Sequence, residues 1–555
     1  LSHSPIQRAP LRTIELFAGV GGFRLGLSKV QASELSDLPG FAIGWSNQWE
    51  PSTKRQDASD VYAARWGAQG HTNEDIFALV NDDDKFASIA SYAPEVLVGG
   101  FPCQDYSVAC SSDKSKGLEG KKGVLWWAIH TTLRRLLEAG QPVKHLIFEN
   151  VDRLLKSPAK APGRDFSIIL ASLAELGYRV EWRVVNAADY GFPQKRTRVF
   201  IVAHHESTAL GEACKAFASA EKESYWLLSR GTLAQSLPAV HAPRNKKDRL
   251  QRASVGCDVL AIQTAFDQDG QTITFENAGV MVDGQVATLR VKASVTDFTP
   301  FVGQAKAVTL GDVVRLTEEL GVVIPEDYYL NDSSLAAWQH VKGAKSADRV
   351  AATGFAYTYK EGALAFPDVL DKPARTIITS EGGASASRTT HVVEDSTGRL
   401  RRLVPDELEE LNGFPRGFTA HAGVRASRRA FMMGNALVTG VVTAIGQKLL
   451  ECAAHPPSAV EDVELDRVEA DGLHPKYVEM PCDEPVLAEA YHCAETASGE
   501  TSDEETAAPA AAVSRRGQSM GLTPQAQRVL ESPSPIVVPK ANDLQGEVTG
   551  DAPHG

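Results

Sequence analysis

Leu11-Arg12-Thr13-Ile14-Glu15-Leu16-Phe17-Ala18-Gly19-Val20-Gly21-Gly22-Phe23 decides the fold. Its first seven residues read as a strand, and a glycine turn follows at once, the junction at which an α/β sheet hands the chain to a helix. The spacing Gly19-x-Gly21-Gly22 falls short of a dinucleotide fingerprint, because Arg24 stands where a third glycine is required. Outward from this stretch, strand-like runs recur at 41–46, 95–98, 144–148, 180–185 and 198–203, with helical patterns such as Phe166 to Leu176 between them. That rhythm predicts an α/β fold, a sheet with helices on both faces.

Three of these strands carry chemistry at one end. Glu95-Val96-Leu97-Val98 runs into Gly99-Gly100-Phe101-Pro102-Cys103-Gln104, which sets a thiol in the crevice where α/β folds bind ligands. Pro102 limits the backbone there, and the two glycines admit a close substrate. His145-Leu146-Ile147-Phe148 ends in Glu149, a carboxyl group that partial desolvation would suit to proton donation. Gln194-Lys195-Arg196-Thr197-Arg198 precedes the run Val199 to Val202, and alternation along an extended chain lets Arg196 and Arg198 face the same way. Two guanidinium groups on one face suit a carbonyl oxygen, a phosphate or a carboxylate. Taken singly, each group has a plainer explanation: a buried cysteine, a helix-capping glutamate, a solvated pair of charges. Together, thiol, acid and arginines suit attack on an electron-poor ring such as a pyrimidine, and a nucleic acid base must leave its stack to be reached.

These residues resemble the cytosine-C5 DNA methyltransferases over most of residues 11 to 452. Phe17 to Phe23 looks like that family's cofactor loop, Phe101-Pro102-Cys103-Gln104 its nucleophile loop, Phe148-Glu149-Asn150-Val151 its acid motif and Asp189 to Arg198 its arginine block. Arg375-Thr376-Ile377, Leu411-Asn412-Gly413-Phe414-Pro415 and Gly434-Asn435-Ala436-Leu437-Val438 follow in the family's order. The resemblance implies a Rossmann-like S-adenosylmethionine-dependent methyltransferase domain. It implies that Cys103 attacks C6 of a flipped cytosine in double-stranded DNA, that Glu149 protonates N3, that Arg198 contacts the base carbonyl and that Arg196 holds the nucleophile loop or nearby backbone. No metal is expected.

The same resemblance assigns Phe17, Ala18, Gly19, Gly21, Gly22, Phe23, Trp49, Asp75, Ile76, Pro102, Leu125, Asn435 and Ala436 to the S-adenosylmethionine site. Trp49 would stack near the adenine. Where relatives carry the ribose-binding acid this chain has Gln48, with Glu50 two residues on, and either could bind the hydroxyls. Asp75 could equally cap a helix, and so could Asn435, at the start of a helix expected from Ala436 to Leu450. Leu125-Trp126-Trp127 opens an amphipathic helix through Leu137.

Between Cys103 and that helix, residues 111–123 carry four lysines and three glycines, the composition of a mobile loop able to meet phosphate. From Ala203 to Lys372 the pattern changes. Val259 to Thr264, Thr272 to Phe275 and Val286 to Val291 look like short strands joined by Asp-Gly turns, beside a helix from Leu310 to Leu320. By resemblance this is a smaller, mixed target-recognition domain, in which Arg244, Lys246, Lys247, Arg249, Lys342, Lys345 and Arg349 could touch DNA. The expected division is 1–203 and 372–452 for the catalytic domain, 204–371 for target recognition, and 453–555 for a tail.

The net charge of −13 argues at first against a DNA partner, but residues from Ala453 onward hold 19 acidic and 6 basic side chains and account for all of it. The tail reads as mainly disordered, and the body is neutral overall. At 555 residues and 43% hydrophobic content the chain can bury a large core. No run of about 18 apolar residues suggests a membrane span. Seven scattered cysteines point to a reducing, cytoplasmic interior. The expectation is a bacterial DNA (cytosine-5-)-methyltransferase, acting as a monomer on one short duplex sequence, in a restriction or defence setting with restriction or defence-system proteins as partners. RNA methylation is the main rival, because a subset of the fold's relatives modifies transfer RNA. The long 204–371 region, large enough to read a duplex, argues against it.

Overall fold

Val96 and Val98 turn to one side of their strand and Leu97 to the other, and that alternation divides the core into two apolar layers. The computed structural model describes residues 9–30, 40–102, 124–158, 161–245, 249–268, 270–350 and 356–458, all within the unit Leu1–Leu473. Its strands are β1 (Leu11–Leu16), β2 (Phe41–Asn47), β3 (His71–Thr72), β4 (Val96–Gly99), β5 (His145–Asn150), β6 (Tyr178–Asn186), β7 (Thr197–His205), β8 (Ala239–His241), β9 (Gln251–Ser254), β10 (Ala278–Val282), β11 (Gln285–Leu289), β12 (Val291–Ala293), β13 (Lys345–Val350), β14 (Ala356–Glu361), β15 (Val392–Glu394) and β16 (Leu400–Arg402).

Ten of them form one mixed sheet in the order β3-β2-β1-β4-β5-β7-β6-β10-β11-β9. The pairs among β1 to β5 are parallel, whereas β7 runs antiparallel to β5 and β6. Strand order reverses between β1 and β4, which opens a crevice at their carboxyl ends. Because β7 is antiparallel, its first residues lie beside the last residues of β5, with Val199 opposite Asn150 and Phe200 opposite Glu149. The arginine block thereby meets the acid motif although it begins its strand rather than ending it.

One apolar layer sets the helices Val124–Glu138 and Arg164–Glu175 against the sheet, and the other sets Gly22–Ser28, Ala209–Ser219 and Thr439–Ala454 against it. The stretch Ala426–Ala454 is long and apolar enough in composition to cross a membrane. It is divided into two helices, Ala426–Asn435 and Thr439–Ala454, and the second lies on Gly22–Ser28, where Thr443 Oγ1 donates to Gly26 O at 2.8 Å.

Several expectations change. Val259 to Thr264 belongs to the helix Val259–Asp267, whose first turn is capped by Asp258 and whose Ile262 and Phe266 are buried at helical spacing. Its β-branched content suggests a strand, but the cap and the spacing prevail. Thr272 to Phe275 joins no ladder, although Ile273 and Phe275 are buried. The Asp283-Gly284 turn does join two strands, β10 and β11, with positive φ at both residues. β9, β10 and β11, all from the region after residue 203, continue the central sheet past β6. The helix expected from Ala436 starts at Thr439 behind Val438, so Asn435 ends the preceding helix instead of capping this one. The acidic stretch from residue 459 onward lies outside the described residues.

Candidate active site

The glycine loop is held from below. Ala18 N–H donates to Asn47 O at 3.0 Å and Gly19 N–H to Gln48 Oε1 at 2.8 Å, so the ends of β1 and β2 are tied together. Phe17 has φ 55, in the left-handed region, and is half-buried, while Ala18, Gly22 and Phe23 are buried. Gly21 is required: at φ 88, an added Cβ would come within 2.6 Å of Trp66 Nε1. Gly19 differs, because a Cβ there would meet nothing within 4 Å, so its backbone borders open space. Leu437 packs against Gly22 and so brings Asn435, which is exposed, and Ala436 close to the loop.

Trp49 is 38% exposed in an otherwise ordered turn. Asn73 Nδ2 donates to Gln48 O, Glu50 N–H donates to Gln56 Oε1 at 2.8 Å, and Gln56 Nε2 returns to Glu50 O at 2.9 Å. The indole is thus presented by a backbone pinned on both sides. Of the two ribose candidates, Gln48 has its carbonyl committed to Gly19, and Glu50 is ion-paired with Arg428, which also holds Asp57. Asp75 accepts from Phe77 N–H at 3.0 Å and caps the short helix Ile76–Val80, with Ile76 buried. Open backbone at Gly19, a part-exposed indole at Trp49 and a carboxylate at Glu50 all follow directly on the carboxyl ends of β1 and β2, and these group types fit a cofactor carrying an adenosine and an amino acid moiety.

Two strands beyond β1, Glu149 Oε1 accepts from Arg198 Nε at 2.8 Å, with both side chains mostly buried. Glu149 Oε2 faces Gly100, where an added Cβ would come to 3.3 Å, so any larger residue would crowd the acid. Asn150 Nδ2 donates to Phe101 O at 2.9 Å, and the Phe101 ring packs on Trp126 and Phe148. Leu125, half-buried, lies beside this aromatic group. The segment Gly100-Phe101-Pro102 is therefore anchored to the acid motif up to the residue before Cys103. Cys103 itself and the lysine-bearing stretch 111–123 fall outside the described residues.

The two arginines diverge. Arg196, 2% exposed, donates through Nη1 to Ile377 O at 3.0 Å and through Nη2 to Gly434 O at 2.9 Å. Burial lowers its pKa, and the two carbonyls compensate for the lost water. Its head is thus committed to two backbone segments, and only Arg198 reaches the acid. Gln194, fully buried, completes the arrangement: its Oε1 accepts from Ile377 N–H at 3.0 Å and its Nε2 donates to Asn412 Oδ1 at 3.0 Å. Sequence reasoning missed Gln194 and Asn150 as positioning groups, although both sit inside motifs it singled out. Among the basic residues expected to reach DNA, Lys342 is 1% exposed and donates to Arg388 O and Thr390 O, so it holds structure instead. Arg244 pairs with Glu276 at 3.2 Å, while Lys246 and Lys247 fall outside the described residues.

Burial raises the Glu15 carboxyl to about 7, beneath the glycine loop, where it accepts from Tyr62 Oη at 3.0 Å and from Arg24 N–H. It ties the loop and the helix after it to Asp57–Trp66.

Comparison with known proteins identifies the family. The family model of the C-5 cytosine-specific DNA methylases matches residues 11–451. The chain is 38% identical to the Type II methyltransferase M.Sau3AI of Staphylococcus aureus over 439 residues, 79% of this chain and 95% of that protein. It is 28% identical to the Type II methyltransferase M.HpaII of Haemophilus parainfluenzae over 382 residues, 65% and 93% of the two chains. Among solved structures, the S. pombe Dnmt2 methyltransferase matches with a TM-score of 0.45 at 13% identity, covering 80% of this chain and 98% of that one.

Proposed function

The chain belongs to the C-5 cytosine-specific DNA methylase family, and from that premise we propose that it methylates one cytosine of a short duplex sequence through a covalent adduct to Cys103. It is a cytosine-C5 DNA methyltransferase of the Type II restriction-modification kind, and the family uses S-adenosylmethionine. The observation that carries the finer reading is the Arg198–Glu149 pair, set beside the anchored segment leading to Cys103.

In this reading the target cytosine leaves the stack and its ring lies between Cys103 and Glu149. The Cys103 thiolate forms a bond to C6, and Glu149 delivers a proton to N3, so the electron pair of the C5–C6 double bond becomes available at C5. S-adenosylmethionine, when bound, would supply the methyl group that C5 takes, its sulfonium S–CH3 bond breaking to leave S-adenosylhomocysteine. Loss of the C5 proton to a base, with return of the N3 proton to Glu149, then re-forms the double bond, breaks the S–C6 bond and frees Cys103. Arg198 keeps Glu149 oriented through Oε1, leaves Oε2 for N3, and would bind the base carbonyl. Arg196 and Gln194 act at a distance from the base by holding Ile377, Asn412 and Gly434 around the arginine block. Gly19, Trp49 and Glu50 would hold the cofactor through its backbone-facing, adenine and ribose portions.

The proposed setting is a bacterial restriction or defence system, in which methylation marks host DNA, with the enzyme acting as a monomer. Residues 204–371 are proposed to choose the target. Transfer of labelled methyl groups to duplex DNA and to total transfer RNA tests the substrate class. Label in duplex DNA, lost on replacing Cys103 by Ala, is the expected outcome, and label confined to RNA would refute the reading.

A further inference from the structure

We propose that the ribbon formed by β13 and β14 reads the duplex in its major groove, and that Arg388 is the positioning residue that fixes this ribbon to the catalytic segment. The proposal rests on the functional reading above and narrows target choice to one element of residues 204–371.

The ribbon is a two-stranded sheet of its own, separate from the ten-stranded sheet. Lys345, Ser346, Ala347 and Asp348 are all exposed along one arm, and Ala356, Thr358 and Lys360 along the other. Successive residues of a strand point to opposite faces, and the face that carries Ser346, Asp348, Thr358 and Lys360 is open to solvent. An isolated hairpin of this kind is marginal in water, and its dimensions match those of a ribbon seated in the major groove of DNA.

Pairing of Ser346 with Lys360 and of Asp348 with Thr358 puts these four residues on one face. That face is polar throughout this stretch. Thr358 Oγ1 donates to Asp348 Oδ1 at 2.8 Å across the arms, which fixes a hydroxyl and a carboxylate in a set geometry. The Lys360 ammonium suits the N7 acceptor of a purine and the Asp348 carboxylate, held by Thr358, a base amino group, while Lys345 suits a flanking phosphate.

Both feet of the ribbon are clamped. Arg388 donates through Nη1 to Val341 O at 3.1 Å and Gly343 O at 2.8 Å, donates through Nη2 to Gly362 O, and pairs through Nε with Glu361 at 2.7 Å. The buried Lys342 donates to Arg388 O at 3.0 Å and to Thr390 O. From there Arg375 donates to Thr389 O and Thr390 O, Thr376 Oγ1 to Lys195 O, and Ile377 N–H to Gln194 Oε1. These hydrogen bonds, linked through the backbone from Arg375 to Ile377, join the ribbon's feet to Gln194 and Lys195, just ahead of the strand that carries Arg198. This connection sets the distance between the base pairs that are read and the cytosine that reacts.

The test uses the full chain and two duplexes of equal length, one holding the motif that the wild-type enzyme methylates in cells and one unrelated. A third duplex carries 7-deazapurines in the motif, which removes the major-groove N7 acceptors. Thr358→Ala with Lys360→Ala is expected to weaken motif binding about tenfold and unrelated binding less than about threefold. The 7-deaza duplex is expected to weaken wild-type binding and to weaken the double variant no further. Arg388→Ala is expected to lower kcat on the motif with S-adenosylmethionine affinity unchanged, and Arg388→Lys, which lacks the fork that spans both feet, not to restore it. A loss of melting temperature with equal loss on both duplexes would assign Arg388 a merely structural role and overturn its part. A double variant that keeps the wild-type preference and the wild-type response to 7-deazapurines would overturn the ribbon proposal alone. A wild-type enzyme that methylates RNA and no duplex would overturn the functional reading with it.

Discussion

Arg198 holds Glu149 from the neighbouring antiparallel strand, Nε to Oε1 at 2.8 Å, and leaves the other carboxylate oxygen facing Gly100. This one contact joins an arginine at the start of β7 to an acid near the end of β5, and it orients the group assigned to protonate the base. Arg198→Ala should lower kcat by roughly two to three orders of magnitude, as loss of a charge-stabilising donor commonly does. Arg198→Lys should recover little, since an ammonium cannot reproduce the planar fork. Cofactor affinity should be unchanged, and single-turnover methyl transfer with a cofactor titration checks both points.

Asn150 bears on the nucleophile through backbone. Its donation to Phe101 O holds the segment that leads to Cys103. Asn150→Ala should remove this hydrogen bond, at about 1 kcal/mol, and should slow adduct formation while Glu149 and Arg198 stay in place. Denaturant melts and the rate of adduct formation on a 5-fluorocytosine duplex measure the two effects separately.

Trp49 stands out of a pinned turn with its ring partly bare. If it stacks on adenine, Trp49→Ala should weaken S-adenosylmethionine binding about tenfold or more, and Trp49→Phe should weaken it less. Calorimetric titration gives both constants, and unchanged affinity would remove Trp49 from the site.

Glu15 makes stability depend on pH. Burial raises its carboxyl from 4.5 to about 7. The folded state therefore binds the proton more tightly than the unfolded state, so the contribution is complete below about 4.5 and is lost as pH rises through about 7. The displacement corresponds to about 3 kcal/mol at most. Relative to Glu15→Gln, the wild-type protein should lose stability between pH 4.5 and 7 and hold level above. Burial lowers His71 to about 4, which acts in the opposite direction and is common to both proteins. The difference between their denaturation curves therefore isolates Glu15.

Much of the catalytic core was legible in the chain because its inner strands fall on short strand-like runs, near-continuously apolar in β4, β5 and β7 and alternating with charged residues in β6. β1, β2, β4, β5, β6 and β7 all fall on stretches identified that way. β3 has only two residues and leaves no periodic trace. Val259–Asp267 misleads because its β-branched residues suggest a strand while Asp258 and the Ile262–Phe266 spacing make a helix. At the site, the residue types were readable but their division of labour was not. Arg196 and Arg198 alternate as a facing pair would, yet Arg196 spends its donors on Ile377 and Gly434, some 181 and 238 residues away. Contacts that distant carry no local signature. The same holds for Lys342, a basic residue of the region expected to read DNA, whose charge is buried against Thr390 and Arg388.

The central claim is methylation of cytosine in one duplex sequence by way of Cys103. Expression of the full chain in a host free of cytosine methylation, followed by bisulfite sequencing of that host's genome beside a Cys103→Ala control, tests it most directly. A single recurrent motif carrying 5-methylcytosine, absent from the control, is the predicted result. A soluble, cofactor-binding protein that leaves the genome unmethylated, or a Cys103→Ala variant that still marks the motif, would contradict the account.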